Sequence, residues 1–350
     1  MSSRSPEFWL PESVVRNPES AAVLRHPPQG CDHGCGLKGL LMRNPVLLFA
    51  ALVALPLSLF AQAPAWPPSP DHTTVPLWPG AAPDAQPVPG PERDMTTAKD
   101  GNPGGKSVIR IGNVSSPTLT LYSPKGMNTG AAVVVFPGGG YRILAIDLEG
   151  TEVCDWLNSA GISCILVKYR VPVAGPYPKS SAPLEDAQRA LGIVRAHAAE
   201  WHIDPKRVGV LGFSAGGHLA AALSTHYDKR LYAPVDAADN LSCRPDFAII
   251  IYPGYLAIAD QNFAPNADIH PTAQTPPTFL VQAEDDPVHV ENAVVYFMAL
   301  KHAGVPAELH VYAEGGHGYG LRRTALPVTT WPQTAEVWLH TIHILPGPSH

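Results

Sequence analysis

The chain is 350 residues long and carries 24 Lys+Arg against 30 Asp+Glu, a formal net charge of -6. A hydrophobic fraction of 45% with 15% charged residues excludes a disordered chain. The mildly acidic balance argues against nucleic acid as a partner, because phosphate binding needs a basic stripe.

Residues 46–60 (VLLFAALVALPLSLF) form a 15-residue apolar run, interrupted by Pro56. A membrane-spanning helix needs ~20 residues. Met42 and Arg43 precede the run and Ala61-Gln62-Ala63 follows it, the order of a secretory signal peptide. The expectation is a signal peptide over 42–63, cleaved after Ala63, with a secreted or periplasmic product and no stable membrane span. Residues 1–41 then read as a non-native upstream extension. Its Cys31, His33 and Cys35 are too few ligands for a four-coordinate zinc site. Of the remaining cysteines, Cys154 falls in a predicted helix and Cys164 in a predicted strand. Both read as small core hydrophobes rather than bridge partners, and three thiols with Cys243 leave at least one free within the chain.

Residues 64–103 hold 11 prolines in 40 positions, which excludes helix interior and central strand. Residues 64–105 are expected to form an extended arm, with the domain proper over 106–345. Residues 108–111 and 118–122 read as early antiparallel strands. Strands then follow at 131–136, 162–169, 207–212, 247–252, 278–283 and 307–312. Helices are predicted over 149–159, 183–201, 215–225, 290–303 and 331–342. This alternation predicts an α/β fold, a mostly parallel sheet with helices on both faces. Sites in such sheets form at the carboxyl ends of strands.

Gly212-Phe213-Ser214-Ala215-Gly216 directly follows a strand and opens a helix, the strand-turn-helix setting of a nucleophile elbow. The turn lifts the Ser214 hydroxyl to the helix N-terminus, where backbone N–H groups favour negative charge. A serine needs a base. His317 qualifies because it lies in Gly315-Gly316-His317-Gly318 after strand 307–312, whereas His218 sits one turn into the elbow helix as a packing or capping histidine. The base needs an acid, and strand 278–283 ends in Glu284-Asp285-Asp286-Pro287. Asp286 is the choice and Asp285 the alternative. Pro137-Gly138-Gly139-Gly140 follows strand 131–136, and Gly139 and Gly140, with Ala215, are the candidate oxyanion donors. Glu149, Tyr141, Arg142 and Tyr169 lie near strand ends and either line the cleft or are a solvated charge and half-buried aromatics.

Together PGGGYRILAIDLEG, LVKYRVP, DPKRVGVLGFSAGGHLA, AEDDPV and GGHGYG resemble the α/β-hydrolase superfamily. The likeness is to H-G-G-G-type esterases related to hormone-sensitive lipase, in particular bacterial secreted esterases of the acetylxylan and feruloyl esterase kind. It covers residues from about 106 to 345. The resemblance implies a serine esterase acting on acylated carbohydrate, without metal or organic cofactor. One departure is Pro137, where the family carries a loop-supporting histidine. Only 26 residues, 253–278, separate two strands where a cap would be inserted, so an open cleft without a large cap is expected. A small-molecule carboxylesterase, an exopeptidase of the prolyl oligopeptidase type and a non-catalytic binding protein of the same fold are the other readings. The exopeptidases carry a large extra domain, and the binding proteins typically lose one of the three residues.

Overall fold

Eight strands form one sheet: β1 (Thr73–Pro76), β2 (Thr118–Tyr122), β3 (Ala132–Phe136), β4 (Ser163–Lys168), β5 (Val208–Phe213), β6 (Ala248–Ile251), β7 (Thr278–Ala283) and β8 (Ala307–Tyr312). They lie in the order β1-β2-β4-β3-β5-β6-β7-β8. The first two junctions are antiparallel and the other five parallel. The computed structural model describes Trp66 and residues 70–346. The expected signal peptide, the upstream extension and Cys31, His33 and Cys35 lie outside the described residues.

The inner parallel strands are rich in Val, Ile, Leu, Ala and Phe, which suit a pleated surface buried on both sides. Every residue of β3 through β7 is buried, so both faces of the sheet are covered. The helices are α1 (Glu152–Ser159), α2 (Ala182–Ala196), α3 (Ala215–Thr225), α4 (Glu291–His302) and α5 (Trp331–Thr341). Trp156 of α1 meets Trp331 of α5 edge-on at 5.3 Å, and Trp331 also reaches Phe213 of β5. The edge strands β1 and β8 are mostly exposed or half-buried.

Three local departures from the sequence pattern have physical causes. The predicted helix over 149–159 is split: residues Asp147–Thr151 form a wide π-helical turn before α1. That turn carries Asp147 and Glu149 inward, where both are buried. Helix α2 ends at Ala196 rather than at 201, and tighter turns then bring Trp201 into the core. Residues Arg110–Gly112 pair with Arg93–Asp94 and Ile143–Ala145 in a separate three-stranded antiparallel sheet.

The expectation that Cys154 and Cys164 are unbridged core residues is corrected. They form a disulfide, with Cα atoms 5.1 Å apart. Helix α1 lies over β4, and this packing brings the two thiols within bonding reach. Cys243 is the free, buried cysteine among the described residues. Its thiol faces the Tyr227 carbonyl at 3.3 Å, and burial pushes its pKa up.

The proline-rich segment does more than lie over the domain. It supplies β1, with Pro76 at the end of an edge strand, where a missing N–H costs least. Leu77 and Trp78 beyond it are buried. Trp78 donates to Asp186 at 2.8 Å, and Arg189 donates to the Leu77 carbonyl at 2.9 Å. Asp186, fully buried in α2, also accepts from the backbone N–H and guanidinium of Arg170, each at 3.0 Å. Without Asp186, Arg170 keeps a single buried carboxylate, Glu185 at 2.9 Å, and the Trp78 and Arg170 backbone N–H groups lose their buried acceptor. Asp186→Ala is therefore expected to destabilise by about 3–5 kcal/mol, read as a lower urea midpoint.

Candidate active site

Strand β5 and helix α3 meet at Ser214 in a turn too tight for side chains on either side. A Cβ on Gly212 would stand 2.0 Å from the Gly216 carbonyl oxygen, and one on Gly216 would stand 2.0 Å from the Phe136 oxygen. Ser214 itself holds φ 53° with ψ -117°, a sparsely populated and costly conformation for a residue with a side chain, of the kind that clusters at active sites. Its N–H donates to the Ile251 carbonyl at 3.0 Å, which anchors the turn to the neighbouring strand.

His317 enters from the loop after β8. Its Nε2 lies 2.8 Å from Ser214 Oγ, and its Nδ1 lies 3.0 and 2.9 Å from the two Asp286 oxygens. With its proton on Nδ1, the ring donates to Asp286 and accepts from the Ser214 hydroxyl. Asp286 follows β7, is 3% exposed, and also accepts from the Val288 N–H at 2.7 Å and from Gln282 at 3.1 Å. Asp285, the alternative acid, points elsewhere: it is exposed and accepts the Gly316 N–H at 2.7 Å. It holds the loop that carries His317, while Asp286 holds the ring.

The glycine loop after β3 closes over the same point. Gly139 has φ 136° and Gly140 φ 63°, values that favour glycine. Among the described residues, no protein acceptor takes the N–H of Gly139, Gly140 or Ala215. The Gly138 N–H is occupied, donating to Glu149 Oε2 at 2.6 Å. The Pro137 carbonyl accepts from the buried Tyr169 hydroxyl at 2.6 Å, a support for the loop at the position of the departure. Tyr141 is buried behind the loop and Arg142 is exposed. A cavity of about 420 Å³ opens here, lined by Ser214, His317, Gly139, Gly140, Glu149 and Arg110, among others. A larger cleft of about 720 Å³, over Arg142, Pro172 and Lys179, contains none of Ser214, His317 or Asp286.

A family profile described as the alpha/beta hydrolase fold matches residues 133–272. The crystal structure of an acetyl ester-xyloside bifunctional hydrolase from Caldicellulosiruptor lactoaceticus is 34% identical, with a TM-score of 0.62; the match covers 78% of this chain and 97% of that one. This chain belongs to the α/β-hydrolase family. An acetylxylan esterase from Xylanibacter ruminicola is 33% identical to it over 61% of this chain and 46% of the relative. Endo-1,4-beta-xylanase B from Butyrivibrio fibrisolvens is 31% identical over 58% of this chain and 34% of the relative. The chain thus spans less than half the length of these two curated relatives.

In this α/β hydrolase the segment between β6 and β7 forms only a short ribbon, Ala257–Ile258 with Ala264–Pro265, and one 3-10 turn. No helical lid stands there, and Ser214 is half-buried. The opposite wall is a strap from the proline-rich segment. Gly101 and Pro103 line the cavity that holds Ser214, and also an adjoining one of about 320 Å³ beside His317. Arg322 clamps this strap by donating to the carbonyls of Pro103 and Lys106, and it pairs with Glu152 at 2.9 Å and Asp147 at 3.3 Å. The strap and the clamp carry no motif, and sequence patterning does not reveal them.

His218 of the α/β hydrolase is a packing residue. It is fully buried, with Nδ1 2.8 Å from the Tyr141 hydroxyl and its ring edge-on to Tyr141 and Tyr255. Burial, helped by the charge of His226, lowers its pKa from 6.5 to about 3. Below pH 6.5 the unfolded chain therefore takes up a proton that the folded chain refuses. Stability contributed by neutral His218 is present above pH 6.5 and falls with pH, by up to about 1.4 kcal/mol per pH unit. Urea unfolding between pH 6.5 and 5 is expected to show this slope, and His218→Gln is expected to flatten it.

Proposed function

We propose that this α/β hydrolase is a secreted serine esterase that removes acyl groups, acetyl or feruloyl, from plant polysaccharide or oligosaccharide. The observation that carries the reading is the unbroken hydrogen-bonded chain from Ser214 through His317 to Asp286 at the wall of an open cavity. Ser214 Oγ attacks the ester carbonyl while His317 Nε2 takes its proton. Asp286 keeps the other ring proton on Nδ1 and stabilises the imidazolium. The N–H groups of Gly139, Gly140 and Ala215 receive the oxyanion. His317 returns the proton to the departing sugar hydroxyl, leaving an acyl-enzyme. Water then attacks the acyl carbonyl, giving its proton to His317, and the acid leaves as Ser214 is restored.

The carbohydrate part rests on the likeness to an acetylxylan esterase, a xylanase and an acetyl ester-xyloside hydrolase, and on the absence of a helical lid among the described residues. An open cleft admits a bulky polymer, whereas a lid would enclose a small ester. Export rests on the residue pattern at 42–63. Among the described residues no helix is long and apolar enough to cross a membrane.

The test is acid release by residues 64–350 from acetylated xylan, methyl ferulate and p-nitrophenyl acetate through octanoate, with Ser214→Ala as control. Acetate release from xylan well above the other signals supports carbohydrate deacetylation. Activity confined to p-nitrophenyl esters leaves the esterase chemistry and removes the polysaccharide. No labelling of folded protein by a fluorophosphonate would favour a binding protein.

A further inference from the structure

Glu149 is a carboxylate that the proposed mechanism does not use. It is 4% exposed and lines the cavity that holds Ser214 and His317. Burying a carboxylate is costly unless its oxygens are hydrogen-bonded. Here Oε2 accepts the Gly138 N–H at 2.6 Å, and Oε1 accepts the Tyr252 hydroxyl at 2.8 Å. The Tyr252 hydroxyl in turn accepts the Gly320 N–H at 3.1 Å. The Tyr252 ring packs 5.0 Å from that of His317, at 64°.

These contacts join two loops that come from distant parts of the chain. Gly138 immediately precedes Gly139 and Gly140, which line the cavity with N–H groups that no protein acceptor takes, and Gly320 lies in the loop that carries His317. Glu149 stands between them, delivered inward by the π-helical turn at Asp147–Thr151. Such turns concentrate at functional sites. Space around Gly138 is tight: a Cβ there would lie 2.7 Å from Glu149 Oε2 and 2.8 Å from Ser214 Cβ. The carboxylate therefore fixes the plane of the Pro137–Gly138 peptide, whose carbonyl Tyr169 holds from the other side, and so sets how the loop enters Gly139 and the donors that follow.

We propose that Glu149 is a positioning residue for ester hydrolysis: it holds the glycine loop and the His317 loop in register, so that the oxyanion donors and the base meet one substrate carbonyl. This rests on the serine esterase reading above. Donors aimed at an oxyanion act on the charge that develops in the transition state, so a misaimed loop lowers kcat with little change in KM.

The experiment compares p-nitrophenyl acetate hydrolysis by wild type, Glu149→Ala, Glu149→Gln and Tyr252→Phe, each checked for folding by circular dichroism and thermal midpoint. Glu149→Ala is expected to lose about 10²–10³ in kcat, the scale of a lost oxyanion donor, with KM within about twofold. Glu149→Gln keeps an oxygen for the Gly138 N–H and is expected to recover at least about tenfold of that loss. Tyr252→Phe keeps the ring against His317 but removes the hydroxyl, and a kcat loss smaller than that of Glu149→Ala is expected. If Glu149→Ala fails to fold, the Gln and Phe variants decide. Folded variants with wild-type kcat, or with a change in KM alone, overturn the proposal. If wild type hydrolyses no ester, the esterase reading fails first and this proposal falls with it.

Discussion

Ser214→Ala is expected to lower kcat/KM for p-nitrophenyl acetate by about 10⁵–10⁶, the loss seen when a hydrolase nucleophile is removed. The fold should survive the change. The hydrogen bonds that fix this residue, Ser214 N–H to Ile251 and Gly254 N–H to Ser214, are made by the backbone. Residual turnover about 10³–10⁴ above the uncatalysed rate is expected, because the N–H groups of Gly139, Gly140 and Ala215 remain. Fluorophosphonate labelling should disappear while the thermal midpoint holds. Turnover within tenfold of wild type would take Ser214 out of the reaction.

Asp286→Asn is expected to lower kcat by about 10⁴. The two Asp286 oxygens receive the Nδ1 proton of His317 and also the donors of Val288 and Gln282. An amide in that place would turn its NH2 toward the ring and force the proton onto Nε2, where it opposes the Ser214 hydroxyl. Asp285→Asn provides the contrast. Its oxygen accepts a backbone N–H from Gly316, which an amide oxygen also does, so activity is expected to stay within a few-fold. Equal losses in the two variants would contradict the separate roles drawn for these neighbouring acids.

The central sheet was legible because its inner strands are mostly apolar and each ends in chemistry or in a turn. The strands at Thr278–Ala283 and Ala307–Tyr312, and the helix at Ala215–Thr225, have the bounds that patterning indicates. Ser214, Asp286 and His317 stood out for the same reason, since each follows a strand end. What patterning missed depends on side-chain approach between elements. Cys154 and Cys164 look like any small apolar pair until α1 is laid on β4. Glu149 looked like either a solvated charge or a cleft acid until a wide turn carried it inward. Arg322 is one of 24 basic residues, and only the folded chain shows the strap it clamps.

The docking of β1 has a consequence for how the protein is made. The groups that lock its far end, Asp186 on Trp78 and Arg189 on the Leu77 carbonyl, lie 108 and 112 residues later in the chain. At ~5–20 residues per second of synthesis, the segment waits roughly 5–20 s for them. A waiting strand with open edges is a template for pairing with other chains. Pro70 precedes it and Pro76 ends it, and proline cannot donate to a stray ladder. The prolines that limit regular structure here thus also deny the strand's ends a ladder donor before its own sheet exists to receive it.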